Sequence, residues 1–223
     1  MDDLSALPGP RPVDRLAAMR RSYALGTLDE HEVDPDPVEQ LRRWLEDAER
    51  AGLVEPNAMV LATVDEAGEP AARTVLLKGL DERGLTFYTQ RRSAKARQLA
   101  ARPSAAAVFP WHGMDRQVIV RGPVTEVDRA EVVEYFAARP RGNQVAAWAS
   151  VQSSPVPDRA TLERAYAEAD ARFGAEVPVP DHWAGYRIQP LVVELWQGRR
   201  DRLHDRVRYR KEQGGWVVER LSP

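Results

Sequence analysis

Between Ala58 and Val127 short apolar runs alternate with polar turns, and this rhythm restricts the fold more than any other feature. Ala58 to Val64 is an apolar, β-branched run, followed by the turn Asp65-Glu66-Ala67-Gly68. Ala71 to Leu77 is a second run, and Asp81-Glu82-Arg83-Gly84 turns into Leu85 to Thr89. Such spacing predicts an antiparallel meander. Ala105 to Pro110 and Gln117 to Val127 continue it. Further strands are expected at Gly185 to Ile188, Val192 to Trp196, His204 to Tyr209 and Trp216 to Arg220.

Helices are expected around the strands. Asp14 can cap one running to about Leu25, with Leu16 and Met19 on one face. The acidic stretch Thr27 to Pro37 reads as a loop. Pro37 to Arg50 carries an apolar stripe of Leu41, Trp44, Leu45 and Ala48, with Gly52 beyond its end. Ser93 caps a short helix to Ala101. Arg129 to Arg139 is a helix stopped by Pro140, Asn143 to Ala149 another, and Asp158 to Phe173 an amphipathic one. The sum is an α+β chain, an antiparallel sheet rich enough to close as a barrel. The expected organisation is a flexible tail over residues 1–13 and a single domain over 14–223.

Composition excludes several classes. The 223 residues are 43% hydrophobic and 30% charged, with a net charge of −2. That is a globular composition without the basic excess of a general nucleic-acid binder. With no cysteine, disulfides and thiolate chemistry are ruled out. The start lacks the basic and apolar segments of a signal peptide, and no apolar run nears the roughly 20 residues of a membrane span. A cytoplasmic protein is expected. The four histidines, His31, His112, His182 and His204, stand at no metal-ligand spacing. Dinucleotide-binding, P-loop and nucleophile-elbow motifs are missing.

Four polar constellations remain. Arg73 and Lys78 bracket an apolar strand; five apart, they point to opposite faces unless a bulge intervenes. Tyr88-Thr89 is followed by Arg91, Arg92, Ser93, Lys95 and Arg97, where a strand gives way to a helix. Free N–H groups and basic side chains suit such a place to a phosphate. Tyr135 and Arg139 stand four apart on one helix, with Asn143 close behind, and could hold a second phosphate. Trp196-Gln197-Gly198 precedes Arg202-Leu203-His204-Asp205-Arg206; if that run is extended, Arg202, His204 and Arg206 share one face. Taken singly, each group is also consistent with solvated surface charge.

Together these residues resemble the pyridoxamine 5′-phosphate oxidase family. The resemblance runs from Met19-Arg20-Arg21-Ser22-Tyr23 to Arg220-Leu221-Ser222-Pro223. It includes Phe87-Tyr88-Thr89, Phe109-Pro110-Trp111-His112, Arg116-Gln117-Val118, Arg139-Pro140-Arg141 and Gln152-Ser153-Ser154 in matching order. It implies an antiparallel split β-barrel with peripheral helices, binding FMN at the interface of a homodimer. By similarity Arg73, Lys95, Gln152 and Ser153 would hold FMN. Thr74, Val75, Leu76, Leu77 and Lys78 would line its site, with Tyr88 and Thr89 nearby, and Gln117, Trp196 and Arg206 would also touch the flavin.

Lys78, Tyr135, Arg139 and Asn143 would bind the substrate phosphate; Leu203 would also contact the substrate, and Arg202 and His204 would lie over its ring near the reacting carbon as the catalytic residues. Arg20, Arg21, Ser22 and Tyr23 would fold over the substrate as a lid. The implied reaction oxidises pyridoxamine 5′-phosphate and pyridoxine 5′-phosphate with O2. Two positions depart from the family pattern: Ala94 stands where an arginine is usual, and Asn143 where serine is common. Arg91, Arg92 and Arg97 are each candidates to compensate for Ala94. The competing classes are a split-barrel oxidoreductase using another flavin or a deazaflavin, a non-catalytic carrier of FMN or pyridoxal phosphate, and a nucleic-acid-binding barrel.

Overall fold

A computed structural model describes residues 16–19 and 22–223. Helix α1 spans Pro37–Arg50. Asp36 caps it by accepting from the Val38 N–H at 2.8 Å, and Pro37 supplies a preset φ at the first position. The strands follow: β1 (Ala58–Val64), β2 (Pro70–Leu76), β3 (Gly79–Asp81) and β4 (Gly84–Gln90). Helix α2 (Ala94–Ala101) is capped by Ser93. Strands β5 (Ser104–Trp111) and β6 (Arg116–Glu126) lead to helices α3 (Arg129–Ala137), α4 (Arg141–Ala149) and α5 (Arg159–Arg172). Strands β7 (Trp183–Ile188), β8 (Val192–Gln197), β9 (Asp205–Glu212) and β10 (Gly215–Leu221) complete the chain.

All strand pairs are antiparallel. The main path runs β10-β9-β8-β6-β5-β1-β2, and β3, β4 and β7 join it through the far end of β6. Residues 116–121 of β6 pair with β8, while 124–126 pair with β7. The sheet therefore turns a corner at Gly122 and Pro123 and curls into a split barrel. A Cβ on Gly122 would lie 1.8 Å from the Gln189 carbonyl oxygen, so only glycine fits this corner.

The concave face carries the core: Met59, Leu61, Leu85, Phe87, Phe109, Val118, Leu195, Val207 and Tyr209. Leu41, Trp44 and Ala48 of α1 and Ala96 and Leu99 of α2 cover it. On the opposite face Val60, Ala62, Val108 and Ile119 remain half-exposed. Among the described residues no helix is long and apolar enough to cross a membrane.

Several boundaries differ from the sequence expectation. Asp14 and residues 1–13 lie outside the described residues. Only residues 16–18 are helical near that start, and Leu16 and Met19 are 67% and 64% exposed. Among the described residues the anticipated apolar face is not buried against another element. Helix α3 stops at Ala137, two residues early, because the Arg139 N–H bonds the Phe136 carbonyl in a tightened last turn. Helix α5 forms with Asp158 as its cap, yet only Ala169 is buried, so its apolar face is far narrower than expected. Strand β3 went unanticipated, being three residues long.

Gly84 enters β4 at φ +127°, and a Cβ there would lie 2.1 Å from the Ile188 carbonyl oxygen. Gly84→Ala is expected to cost about 2–3 kcal/mol or more, read as a lowered urea midpoint with an unchanged m-value.

Candidate active site

Arg73 stands on β2 directly opposite Leu61 of β1, so its side chain lies on the concave side of the sheet edge. Its guanidinium donates to Thr63 Oγ1 and, at 2.9 Å, to Gln98 Oε1 of α2. The Lys95 ammonium, one position past the first residue of α2, donates to Thr89 Oγ1 at 3.2 Å and Gln152 Oε1 at 3.3 Å. Thr89 itself donates to Gln152 at 2.6 Å. Buried Gln90 holds the loop that carries Gln152: it accepts from the Gln152 N–H at 2.9 Å and donates to the Ser150 carbonyl at 2.8 Å. Ser153 follows at φ +69°.

No carboxylate among the described residues pairs with Arg73 or Lys95. Burial, then the neighbouring Arg73 charge, pulls the Lys95 ammonium down to about 8; burial also lowers Arg73. Two shielded like charges without a counter-ion are costly unless an anion joins them. The chemistry of this socket suits a phosphate; of the residues that the resemblance implies for FMN, it brings Arg73, Lys95 and Gln152 together around Thr89, with Ser153 next in the chain. Thr63, Gln90 and Gln98 were missed. Their available signal was a polar residue on an otherwise apolar face, as with Thr63 on β1.

Ala94 opens onto a cleft of about 400 Å³ that Arg97 and Gln98 also line. Of the three arginine candidates to compensate for Ala94, Arg91 is committed elsewhere, to Glu126 and the Asp181 carbonyl. Arg97 lines the cleft and donates to the Arg92 carbonyl.

A second cationic group lies across β4. The Tyr88 ring stacks on Tyr135 of α3 with centroids 3.7 Å apart and planes 6° from parallel. Gly185, opposite Tyr88 on β7, leaves room for that ring: a Cβ would come within 2.7 Å of it. Arg139 lies beyond the end of α3, so it does not share a helix face with Tyr135 as the four-residue spacing implied. Instead its guanidinium sits 4.2 Å over the Trp183 ring and 5.3 Å from Phe136. Its Nη1 is buried with no hydrogen-bond partner among the described residues. Burial lowers its pKa and raises that of Tyr135. Lys78 is exposed and tied to β4 by its N–H to the Thr86 carbonyl at 2.8 Å; Asn143 is exposed in the first turn of α4.

A third group surrounds the end of β8. Tyr23 packs edge-on to Trp196 at 5.7 Å and to His204 at 5.5 Å, and Trp196 lies 4.7 Å from His204. Gly198 permits this, since a Cβ would come 2.8 Å from the Tyr23 ring. The Arg199 N–H donates to His204 Nδ1 at 3.1 Å, so neutral His204 carries its hydrogen on Nε2. Gln117 faces Trp196 across the β6–β8 ladder, and both line a cleft of about 420 Å³ with Tyr23, His112, Asp115 and Arg116.

Residues 202–206 are not extended as a whole. A single turn covers Arg200–Arg202, with Asp201 and Arg202 at φ +56° and +63°, and β9 begins only at Asp205. Arg202 and Leu203 are exposed, whereas Arg206 bonds Glu194 at 2.9 Å. The three cations therefore do not share one strand face. Arg20 and Arg21 lie outside the described residues, and Ser22 is exposed.

The three groups occupy two sides of the sheet. Arg73 shares the concave side with Leu61, whereas Gln117, Trp196 and Arg206 align on the opposite face with Pro110, Val108 and Val60. One chain alone does not bring Arg73 and Lys95 together with Trp196 and His204.

Residues 45–173 match the family model described as pyridoxamine 5′-phosphate oxidase, and residues 183–223 match the pyridoxine 5′-phosphate oxidase C-terminal dimerisation region. The chain is 53% identical to pyridoxine/pyridoxamine 5′-phosphate oxidase 1 of Ralstonia nicotianae, covering 93% of this chain and 99% of that one. It is 51% identical to the pyridoxine/pyridoxamine 5′-phosphate oxidase of Streptomyces avermitilis, covering 95% and 98%. Among solved structures, PhzG from Burkholderia lata, in complex with tetrahydrophenazine-1-carboxylic acid, aligns with a TM-score of 0.86 at 30% identity, covering 91% and 100%. A pyridoxamine 5′-phosphate oxidase-related, FMN-binding protein of Nostoc punctiforme shares the fold, with a TM-score of 0.70 at 19% identity, covering 84% and 98%.

The Lys95 socket predicts a pH dependence. Only protonated Lys95 attracts a phosphate, whose own second ionisation near pH 6 is complete well below this range. Affinity for a phosphate ligand is expected to be highest between about pH 6 and 8 and to fall by up to about tenfold per unit above it. Lys95→Met should bind weakly with a flat profile, as read by quenching of flavin fluorescence. Unliganded protein should behave oppositely. Its lysine is held below the ordinary 10.5, so stability rises as pH climbs from about 8 towards that value.

Proposed function

The chain belongs to the pyridoxamine 5′-phosphate oxidase family, and on that premise we propose that it is the FMN-dependent oxidase of pyridoxamine and pyridoxine 5′-phosphates. Oxygen is the final electron acceptor, and pyridoxal 5′-phosphate and hydrogen peroxide are the products, with ammonia from the amine. The observation that carries this reading is the pair of cationic sockets flanking strand β4 that lack a carboxylate among the described residues, Arg73 with Lys95 on one side and Arg139 beside Tyr135 on the other. Two phosphates answer two sockets. A cofactor and a substrate that each end in phosphate supply them, whereas a nucleic acid would call for a continuous basic surface.

Arg73, Lys95, Gln152 and Ser153 would hold the FMN phosphate and its neighbouring chain, along the backbone of residues 74–78 and beside Thr89. Bound there, FMN supplies the two-electron redox chemistry. Tyr135 and Arg139, together with Lys78 and Asn143, would take the vitamer phosphate. Anchoring that phosphate removes translational freedom from the ring carrying the reacting carbon.

Gln117, Trp196 and Arg206 lie on the other face and His204 packs against Trp196; these residues, with Arg202 of the adjoining turn, would serve the site of a second copy. A homodimer completes both sites, in keeping with the dimerisation region matched by residues 183–223 and with the half-exposed apolar face around Val60 and Val108. Arg202 stays charged and orients the substrate and stabilises developing negative charge. His204 has Nδ1 occupied by the Arg199 N–H, so it acts as an Nε2 donor to substrate and not as a ready proton acceptor. Tyr23 over Trp196 and His204 limits access of water from the N-terminal side.

The test is to purify the protein, measure bound flavin, and follow peroxide release with each phosphorylated vitamer in air. Peroxide and pyridoxal 5′-phosphate are expected in equal amounts; a protein that binds either ligand without releasing peroxide is a carrier. Arg202→Leu should lower kcat about 100-fold or more while retaining flavin. Arg73→Leu should lose flavin first, and recover turnover when excess FMN is added.

A further inference from the structure

Helix α3 carries Tyr135 and ends just short of Arg139, so its seating on the sheet decides where both groups point. Val132 and Phe136 bury its apolar side. Apolar packing is non-directional and does not by itself fix rotation or sliding of so short a helix. Two directional contacts do. One is the Tyr135–Tyr88 stack. The other lies one turn earlier on the same helix face, at Glu131.

The Glu131 carboxylate receives Arg187 Nη2 at 2.6 Å and Arg83 Nη1 at 3.1 Å. Arg187 stands on β7 opposite Thr86 of β4, and its Nε donates to Thr86 Oγ1 at 3.2 Å. Arg83, in the β3–β4 turn, is also held by Asp81. The Arg187 side chain is only 12% exposed, unlike an ordinary surface partner, so its charge depends on Glu131 for compensation. One carboxylate thus ties the first turn of α3 to β7, β4 and the turn between β3 and β4. Thr86 lies two residues before Tyr88 on the same strand, so both contacts register α3 against one stretch of β4.

We infer that Glu131 is a positioning residue for phosphate recognition, holding α3 so that Tyr135 and Arg139 meet the substrate phosphate. The inference rests on the functional reading above, which gives those two residues the vitamer phosphate. Glu131 itself touches neither substrate nor cofactor; it acts through Tyr135 and Arg139.

The experiment compares FMN-loaded wild type with Glu131→Gln, Glu131→Asp and Arg83→Gln. It uses steady-state kinetics with pyridoxine 5′-phosphate and equilibrium dialysis with pyridoxal 5′-phosphate. Glu131→Gln is expected to raise KM and the dialysis Kd about tenfold, with kcat within about twofold and flavin content unchanged. Glu131→Asp, which keeps the charge, should recover part of the affinity, and Arg83→Gln, which removes the outer pair alone, should show a smaller rise. Unmoved KM and Kd in Glu131→Gln overturn the inference, as does a fall in kcat as large as the rise in KM with no recovery by aspartate. If Glu131→Gln does not fold, Arg83→Gln decides: unchanged affinity there overturns the inference. A wild type that turns over neither vitamer sinks the functional reading, while the dialysis series still tests Glu131.

Discussion

Strand β6 serves two parts of the sheet at once, and the rest of the molecule is arranged around that fact. Its first half pairs with β8 and its last residues with β7, while β5 runs along its other edge. Between the two halves the chain needs a residue without a side chain and one without an N–H to spare, and Gly122 and Pro123 provide them. Gln189 and Leu191 then bond across the corner, to the carbonyls of Pro123 and Arg121 at 2.9 Å each. This corner brings β4 and β7 over the concave side. Thr89 and Tyr88 follow, and so do the two cationic sockets on either side of β4.

Charge is handled in two ways. Most arginines on the exterior are matched at once, as with Arg220 and Glu30 or Arg208 and Glu219. Exposed pairs of that kind contribute little stability. Arg73, Lys95 and Arg139 are different: they are shielded and lack a carboxylate among the described residues. Arg139 gains partial relief from the Trp183 ring. A fold keeps such groups at a cost, and anionic ligands reclaim it. The same logic separates Arg91, spent on Glu126, from Arg97, which still faces the cleft beside Ala94.

Legibility in the sequence followed the range of the forces involved. Helix α1 was readable to both ends because Asp36, Pro37 and an apolar stripe act within a few residues of one another. Strands β1, β4 and β5 were readable through alternation and flanking turns. The helix expected near Asp14 does not reach Leu25: residues 22–25 are not helical, and Tyr23 instead finds Trp196 and His204, far away in sequence. The turn at Arg200–Arg202 was hidden for a related reason. Left-handed φ values at Asp201 and Arg202 carry no composition signal at non-glycine residues, so the stretch looked extended. Thr63, Gln98 and Glu131 escaped notice because each acquires its meaning only from a partner on another element.

The amino-acid sequence by itself determined most of the element types, the antiparallel class and which cations exist, because propensity, capping and period-two alternation are local. It also carried enough matched positions to name the family. Only the tertiary structure decided that Arg73 and Lys95 share a socket, that Arg139 turns onto Trp183, and that Trp196, with His204 packed on it, falls on the other face of the sheet. Alternation fixes which residues of one strand share a side. Pairing register and the corner in β6 fix which strands close over which, and those depend on contacts between residues distant along the chain.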